Sequence, residues 1–340
     1  MQRMDIGRAI EPAFRHMADT LFRPFTLRVW LALGFTFTVG YGLSSLRIPN
    51  AARFWRWNST EEPWWTGRMA SSLAHYWPLL LMGLLALAAI ALVFVWLSSV
   101  FQFVYIDNIT RKSGAIAEPF ARLVRLGSLY FLWRMAFGAV VLAAVGILVG
   151  LPLLVVLVPG TSVTTRVAAA VWAGMAGIFL SVLAAIIVIL AKDFLVPAMY
   201  VRGAGVIEGW RRVLPVLSAN VGQTLLYLLM LAALGIGITT VGLIAALVLL
   251  VALAIPVGLL ALLGYAAGQA AHLTWSPPVI GIAAALGVIA FLGYIYLFQC
   301  AMQPAQIFRR CFPLVVLGQA DPSLATIPPE TPPTTTPEQA

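Results

Sequence analysis

Long uncharged apolar runs dominate the chain, and short segments between them hold nearly all of its charged residues. A helix needs about 20 apolar residues to cross the hydrocarbon core of a bilayer. The runs of clear length are Leu27 to Leu46, Pro78 to Ile106, Ser128 to Val158, Val167 to Ala191, and Val279 to Gln303. The pattern therefore predicts an all-α fold, a polytopic bundle of transmembrane helices.

A further run, Val221 to Gly264, is too long for one straight span and can hold one helix or two. Pro256, with Gly258 beside it, is the expected break, because proline removes a backbone donor and clashes with the preceding turn. One helix here gives six spans, with Val257 to Trp275 as an interfacial or re-entrant piece. Two helices give seven.

The distribution of arginine and lysine distinguishes these alternatives, since short cytoplasmic loops collect both residue types. With six spans, fifteen basic residues fall on the side of the N-terminus and five on the opposite side. A seventh span would move Arg309 and Arg310 to the poorly charged side. The prediction is six spans with the N- and C-termini in the cytoplasm.

The amino-acid composition is that of a membrane protein, and it indicates which classes of partner the protein binds. Hydrophobic residues make up 61% of the chain and charged residues 10%, which excludes an ordinary soluble domain. The formal charge of +9 comes from arginines beside apolar spans, so we expect anionic lipid headgroups as partners and no nucleic acid. Protein partners on the cytoplasmic face are a second class that this pattern allows. The preference for arginine over lysine is typical of a bacterial inner-membrane protein.

A short motif recurs three times, as AIEPAFR at Ala9 to Arg15, IAEPFAR at Ile116 to Arg122, and VIEGWRR at Val206 to Arg212. Each copy places a glutamate four residues before an arginine, which on a helix puts both on one face. Apolar positions follow at offsets of 0, 4, 7 and 11, the stripe of an amphipathic interfacial helix. The candidate interfacial pairs are Glu11 with Arg15, Glu118 with Arg122, and Glu208 with Arg212.

The motif suggests three helix-hairpin units, residues 1–106, 107–193 and 194–310, within a transmembrane domain of residues 1–320. The alternative is three unrelated interfacial helices that obey the same membrane physics. Residues 321–340 are rich in proline and threonine and are expected to form a disordered tail.

The segment from Lys192 to Leu231, KDFLVPAMYVRGAGVIEGWRRVLPVLSANVGQTLLYLLML, resembles an uncharacterised family of bacterial polytopic membrane proteins. Its features are an aspartate and proline closing a span, a short basic turn, a tryptophan-arginine helix, and an asparagine-glycine entry to the next span. The layout is more distantly similar to the membrane domain of some glycerophosphoryl diester phosphodiesterases. The resemblance implies a helical membrane domain with no established activity, and it transfers no catalytic residue to this chain.

Residues with recognisable chemistry are sparse. Lys192 and Asp193 form a candidate pair at the end of the fourth span, best explained as interface capping. The histidines His16, His75 and His272 are far apart, so we expect no metal site, no catalytic residue and no cofactor.

The predicted function is a non-enzymatic membrane scaffold that organises lipids or partner proteins. The alternatives are a transporter of an apolar or lipidic substrate and a lipid-modifying membrane enzyme. The enzyme would use Glu118, Glu208, Lys192 and Asp193.

Overall fold

The computed structural model describes residues 6–42, 66–270 and 277–327, and these residues fold as helices joined by short turns. The predicted all-α fold class is confirmed. The helices are α1 (Ile6–Phe22), α2 (Leu27–Phe37), α3 (Thr66–Arg111), α4 (Ala117–Val145), α5 (Leu151–Leu157), α6 (Val163–Leu190), α7 (Val196–Arg202), α8 (Val206–Ala219), α9 (Val221–Ala270), α10 (Pro277–Ala301) and α11 (Gln303–Ala320).

Three π-helical turns extend or join these helices without a loop. Thr38–Gly42 continues α2, Gly146–Gly150 joins α4 to α5, and Ala191–Leu195 joins α6 to α7. The continuous helical segments are therefore longer than the individual α-helices.

Among the residues that the structure describes, five helical segments are long and apolar enough to cross a membrane. They are Tyr76–Arg111, Ala117–Leu157, Val163–Arg202, Val221–Ala266 and Gly281–Ala301. The first predicted span is represented by the shorter apolar helix Leu27–Tyr41, and residues 43–46 of that prediction lie outside the described part of the chain.

The predicted break at Pro256 is wrong, because α9 runs without interruption from Val221 to Ala270. At 50 residues and a rise of about 1.5 Å per residue, α9 is about 75 Å long. Val257 to Ala270 therefore belong to α9 and do not form a separate re-entrant piece. A break would expose unpaired backbone groups in an apolar setting, whereas one proline removes a single helical hydrogen bond.

The buried residues gather at one end of the molecule, which we call the base. The base consists of α1, α7, α8 and α11, the π-helical turn Ala191–Leu195 and residues 112–116 and 321–327, with residues 98–111 of α3, 117–130 of α4 and 221–231 of α9. Its main cluster joins fully buried side chains from distant parts of the sequence, including Leu21, Tyr105, Phe194 and Phe312.

Three apolar segments extend from the base, and we call them the arms: residues 76–94, residues 135–190, and residues 232–270 with 277–299. Most of their large side chains are exposed, among them Leu85, Leu142 and Leu247. An apolar surface of this extent is unstable in water and is typical of helices that face lipid. The finding supports a membrane protein and leaves its orientation open.

Both ends of the described chain lie in the base. α1 packs along α11, where its Ile6, Ala9, Ala13 and Leu21 are buried. Because α1 and α11 are in contact, the first and last long helices of the described chain lie at the same end of the molecule, as an even number of crossings requires.

Close approach of α3 and α4 depends on a glycine. A methyl group at Gly127 would lie 2.5 Å from the Cα atom of Val100, closer than real carbon contacts allow. The absence of a side chain lets these helices pack backbone to backbone and brings their ends together in the base.

The boundary of the predicted disordered tail needs a correction. Residues 321–327 are part of the described structure, with a 3₁₀ turn at Pro322–Leu324. Leu324 is completely buried, since its side chain fills a gap beside α11. Ile327 packs against the same core cluster, so apolar side chains attach this segment to the base; residues 328–340 lie outside the described chain.

Candidate functional site

Asp193 lies in the π-helical turn Ala191–Leu195, where α6 enters the base. Its Oδ1 accepts a hydrogen bond of 2.6 Å from Nη1 of Arg310, and its Oδ2 accepts one of 2.9 Å from the hydroxyl of Tyr227. Both carboxylate oxygens are therefore occupied by groups from α9 and α11. Asp193 joins three segments that are far apart in sequence.

The structure pairs Asp193 with Arg310 and not with its neighbour Lys192. Adjacent residues on a helix point in different directions, so they rarely contact each other. Lys192 is half-buried beside the network. Lys192 and Asp193 therefore do not form the predicted pair at the end of the span. Asp193 forms a buried ion pair with Arg310 instead.

Arg310 also contacts aromatic rings. Its guanidinium carbon lies 3.9 Å from the centre of the Tyr41 ring, in a cation–π arrangement. Tyr41 packs edge-to-face against Tyr105, whose hydroxyl donates to Oε1 of Gln303 at 3.4 Å. The network reaches α2 and α3 through these rings.

Arg309, the neighbour of Arg310, lies partly buried next to the same network. Burial lowers the pKa of its guanidinium, and the charge of Arg310 lowers it further, while Asp193 acts in the opposite direction. The base therefore holds more buried positive than negative charge around Asp193. This arrangement is suited to holding helices together, because the only carboxylate in it is already neutralised.

Asp107 is the centre of a second cluster, at the end of α3. Its side chain is 1% exposed. Oδ1 accepts hydrogen bonds from Nη2 of Arg122 and, at 2.6 Å, from the hydroxyl of Tyr200. Nε of Arg111 lies 3.1 Å from the same oxygen.

The partner of Arg122 differs from the one that the motif predicts. Arg122 binds Asp107 and not Glu118, although Glu118 lies four residues before it. A buried carboxylate attracts a guanidinium more strongly than an exposed one, because the surrounding dielectric constant is lower. The spacing of four residues correctly predicted a helix here, but it predicted the wrong partner for Arg122.

The other two candidate pairs do form. Arg15 contacts Glu11, and Nε of Arg212 lies 3.1 Å from Oε1 of Glu208. All four side chains are at least 43% exposed. Exposed pairs of this kind contribute less than about 1 kcal/mol, so they support their helices without forming a site.

The repeated apolar positions show similar burial in the three motif copies. At offsets 7 and 11 the residues are buried in every copy, as for Met17, Leu123 and Val213 at offset 7. At offsets 0 and 4 they are partly or fully exposed, as for Phe14 in α1. A common origin of the three units stays a prediction.

His16 is the one histidine whose side chain is described. Its Nε2 donates to the backbone oxygen of Ile109 at 3.0 Å, which ties α1 to α3. Burial lowers the pKa of the imidazole. Within the described residues, no group of three or more potential metal ligands occurs.

The sequence interpretation missed Asp107, Tyr227 and Arg310 as members of buried clusters. The sequence held one indication of the role of Asp107. This acidic residue directly follows the apolar run that ends at Ile106, at the end of a predicted span. Nothing local distinguishes Arg310 from Arg309, because the difference lies in which helix face meets Asp193.

A family model matches residues 4–327, which is nearly the whole chain, and its description is a family of unknown function, DUF7544. The chain belongs to this family. The match agrees with the predicted membership of an uncharacterised family, and it gives no support to the similarity with glycerophosphoryl diester phosphodiesterases or to a bacterial origin. No curated protein and no solved structure matches the chain. The DUF7544 chain must therefore be interpreted from its own residues.

Proposed function

We propose that the protein is a non-enzymatic membrane module, in which the arms embed in the bilayer and the base organises anionic lipids or partner proteins. The supporting observation is the separation of charge from apolar surface. Across all three arms, Arg166 is the sole arginine, lysine, aspartate or glutamate, and it lies in the first turn of α6. The buried ion pairs of the described residues, Asp107 with Arg122 and Asp193 with Arg310, are in the base.

This separation argues against transport of a charged solute. Transport pathways for ions and polar solutes carry ionisable side chains inside the membrane, because such groups are costly there and persist only for function. The arms offer none along their lengths. The charged side chains of the base are engaged largely in holding helix ends together.

We also propose that the base faces the cytoplasm of the cell membrane, and that a bacterial inner membrane is the setting. The basic residues support this orientation, because fifteen of them lie on the side of the termini. Anionic lipids of the cytoplasmic leaflet then meet exposed arginines such as Arg125 and Arg202.

A transporter of an apolar or lipidic substrate is the second candidate. A cavity of about 770 Å³ lies between α9 and α10, lined by apolar side chains that include Leu260, Tyr265 and Leu286. Its volume is in the range of small-molecule sites, and its walls suit an acyl chain. It touches none of the charged clusters of the base.

The lipid-modifying enzyme is the weakest of the three alternatives. Asp193 is buried with both oxygens occupied, and Glu208 is paired with Arg212. A general acid or base has to reach its substrate with a free proton site.

The deciding experiment uses the full-length protein in nanodiscs that contain phosphatidylcholine and phosphatidylglycerol. Native mass spectrometry is expected to show phosphatidylglycerol enriched among the lipids retained by the protein, with every lipid chemically unchanged. Equal retention of both lipids would contradict the lipid-organising role. A new lipid product would establish an enzyme instead.

A matched assay tests the transporter. The protein is reconstituted into vesicles that carry a fluorescent phospholipid in one leaflet, and a membrane-impermeant quencher is added. Quenching at the rate of protein-free vesicles is the expected result. Faster redistribution of the labelled lipid would favour transport over the proposed role.

A further inference from the structure

Three arginines line one cavity on the surface of the base. Arg111 comes from the end of α3, and Arg122 and Arg125 from the first turns of α4. The cavity has a volume of about 610 Å³, and its other walls include Tyr200 and Thr326. Four separate segments of the chain therefore meet around it.

Two of the guanidinium groups are held in place. Arg111 and Arg122 both contact Oδ1 of the buried Asp107, and the hydroxyl of Tyr200 donates to the same atom. Each guanidinium has five N–H groups and uses few of them here, so donors remain for a ligand. Fixing the arginines in advance reduces the entropy cost of binding.

The balance of charge in the cavity favours a dianion. Three arginines meet one carboxylate, that of Asp107, since Glu118 does not line the cavity. Arg125 is exposed and forms no ion pair within the described ranges. About two positive charges are left uncompensated, which matches a phosphomonoester near neutral pH.

A second observation indicates a ligand at this position. The hydroxyl oxygen of Thr326 is buried and has no hydrogen-bond partner among the described residues, and Thr326 lines the cavity. Buried hydroxyl groups normally have a partner, because leaving one unpaired costs free energy. A phosphate oxygen in the cavity would supply that partner.

We infer that this cavity is a binding site for a phosphomonoester group, held by Arg111, Arg122 and Arg125 and by the hydroxyl of Thr326. Guanidinium groups bind phosphate through paired N–H donors, which gives both strength and geometry. The group can belong to a lipid headgroup, as in phosphatidic acid, or to a soluble molecule. The inference deepens the proposed lipid-organising function by naming the ligand class of one site, and in its lipid form it rests on that function.

The test compares the wild-type protein with Arg125→Gln, which removes one guanidinium that has no structural partner. Arg211→Gln is the matched control, because Arg211 is an exposed arginine on α8 outside the cavity. Thr326→Val serves as the second variant, since it removes the hydroxyl and keeps the shape of the side chain. The probes are inorganic phosphate, titrated calorimetrically in neutral detergent, and nanodiscs of phosphatidylcholine containing phosphatidic acid, analysed by native mass spectrometry.

The expected result is saturable binding of at least one probe, weakened about tenfold by Arg125→Gln, since one charge-assisted hydrogen bond accounts for that factor. Thr326→Val should weaken binding as well, and Arg211→Gln should leave it unchanged. Binding of inorganic phosphate alone identifies a soluble ligand, and binding of phosphatidic acid alone identifies a lipid headgroup. Absence of saturable binding, or equal loss in Arg125→Gln and Arg211→Gln, overturns the site.

The two proposals can fail separately. If phosphatidylglycerol stays enriched around the protein while neither probe binds in a manner that depends on Arg125, the phosphomonoester site is wrong and the lipid-organising role stands. If inorganic phosphate binds at the cavity while no anionic lipid is enriched, the site stands and the lipid-organising role is wrong.

Discussion

Asp193 and Arg310 form a buried ion pair between residues 117 positions apart in sequence, with Oδ1 and Nη1 separated by 2.6 Å. Their side chains are 3% and 6% exposed. Tyr227 and Tyr41 complete the surroundings of the pair, through a hydrogen bond and a cation–π contact respectively. The pair fixes how the end of α6 meets α11 and is the main polar connection within the base.

Breaking this pair on one side should be more harmful than removing it entirely. Asp193→Leu leaves a buried guanidinium without its partner and is expected to cost about 3–5 kcal/mol of unfolding free energy. The double variant Asp193→Leu with Arg310→Met should cost less than the single variant. Thermal unfolding of the detergent-purified proteins measures both.

Glu11→Gln is the control for this comparison, since it removes one partner of an exposed pair. Its effect should stay below about 1 kcal/mol. A double variant less stable than Asp193→Leu would show that the contact with Tyr41, and not the charge of Asp193, is what stabilises Arg310.

Acidification should loosen the contact between α1 and α3 through His16. Burial lowers the pKa of His16 below its ordinary value near 6.5, with Lys112 acting in the same direction, while the bond to Ile109 and the charge of Asp19 oppose the shift. The unfolded chain therefore binds more protons below about pH 6.5, and the folded state loses stability as pH falls through that window.

The measurement is the unfolding temperature between pH 8 and pH 5, for the wild type and His16→Gln. The variant keeps a side-chain donor and removes the titration, so its curve should be flatter below about pH 6.5. Parallel curves for the two proteins would assign the pH dependence to other groups.

Gly127→Ala should destabilise the packing of α3 on α4. The added methyl group would lie 2.5 Å from Cα of Val100, so the backbones must separate. Such overpacking costs about 1–3 kcal/mol. Unfolding temperature and the yield of monodisperse protein report the effect.

Gly138→Ala, on the same helix, is the matched control because a methyl group there meets open space. This change should be neutral or stabilising by up to about 1 kcal/mol, since alanine favours helix more than glycine does. Equal losses in both variants would mean that the close contact at Val100 is unimportant.

Leu324→Ala should weaken the attachment of the segment after α11. The side chain is fully buried, and truncating a buried leucine costs about 2–5 kcal/mol. Limited proteolysis is expected to cut near residue 324 faster in the variant. Ser323→Ala, at an exposed neighbour, should leave the cleavage rate as in the wild type.

Cysteine labelling should place the base and the tips of the arms on opposite sides of the membrane. Ser113 lies between α3 and α4, Ser218 lies in the last helical turn of α8, and Thr161 lies at the turn between α5 and α6. In a variant without Cys300 and Cys311, an impermeant thiol reagent is expected to label Cys at position 161 from outside intact cells. Positions 113 and 218 should react only after lysis.

Labelling of all three positions from the same side would contradict the transmembrane arrangement of the α4 to α6 hairpin. Labelling of positions 113 and 218 from outside, with 161 protected, would keep the hairpin and reverse the proposed orientation.

The amino-acid sequence determined the helical membrane class and most of the helices. Runs such as Val167 to Ala191 are long, uncharged and without strand signals, and an apolar solvent leaves helices as the way to satisfy the backbone of a single segment. The sequence also predicted the pair of Glu208 and Arg212, because residues four apart on a helix contact each other whatever the rest of the fold.

Only the tertiary structure decided which charged residues are buried and with whom. Arg122 lies four residues after Glu118 but pairs with Asp107. Likewise, Arg310 and not its neighbour Arg309 pairs with Asp193. These choices depend on how distant helix ends come together in the base, and on the stronger attraction between charges away from water. The same assembly places three arginines around one cavity, since helix packing determines which side chains from separate segments become neighbours.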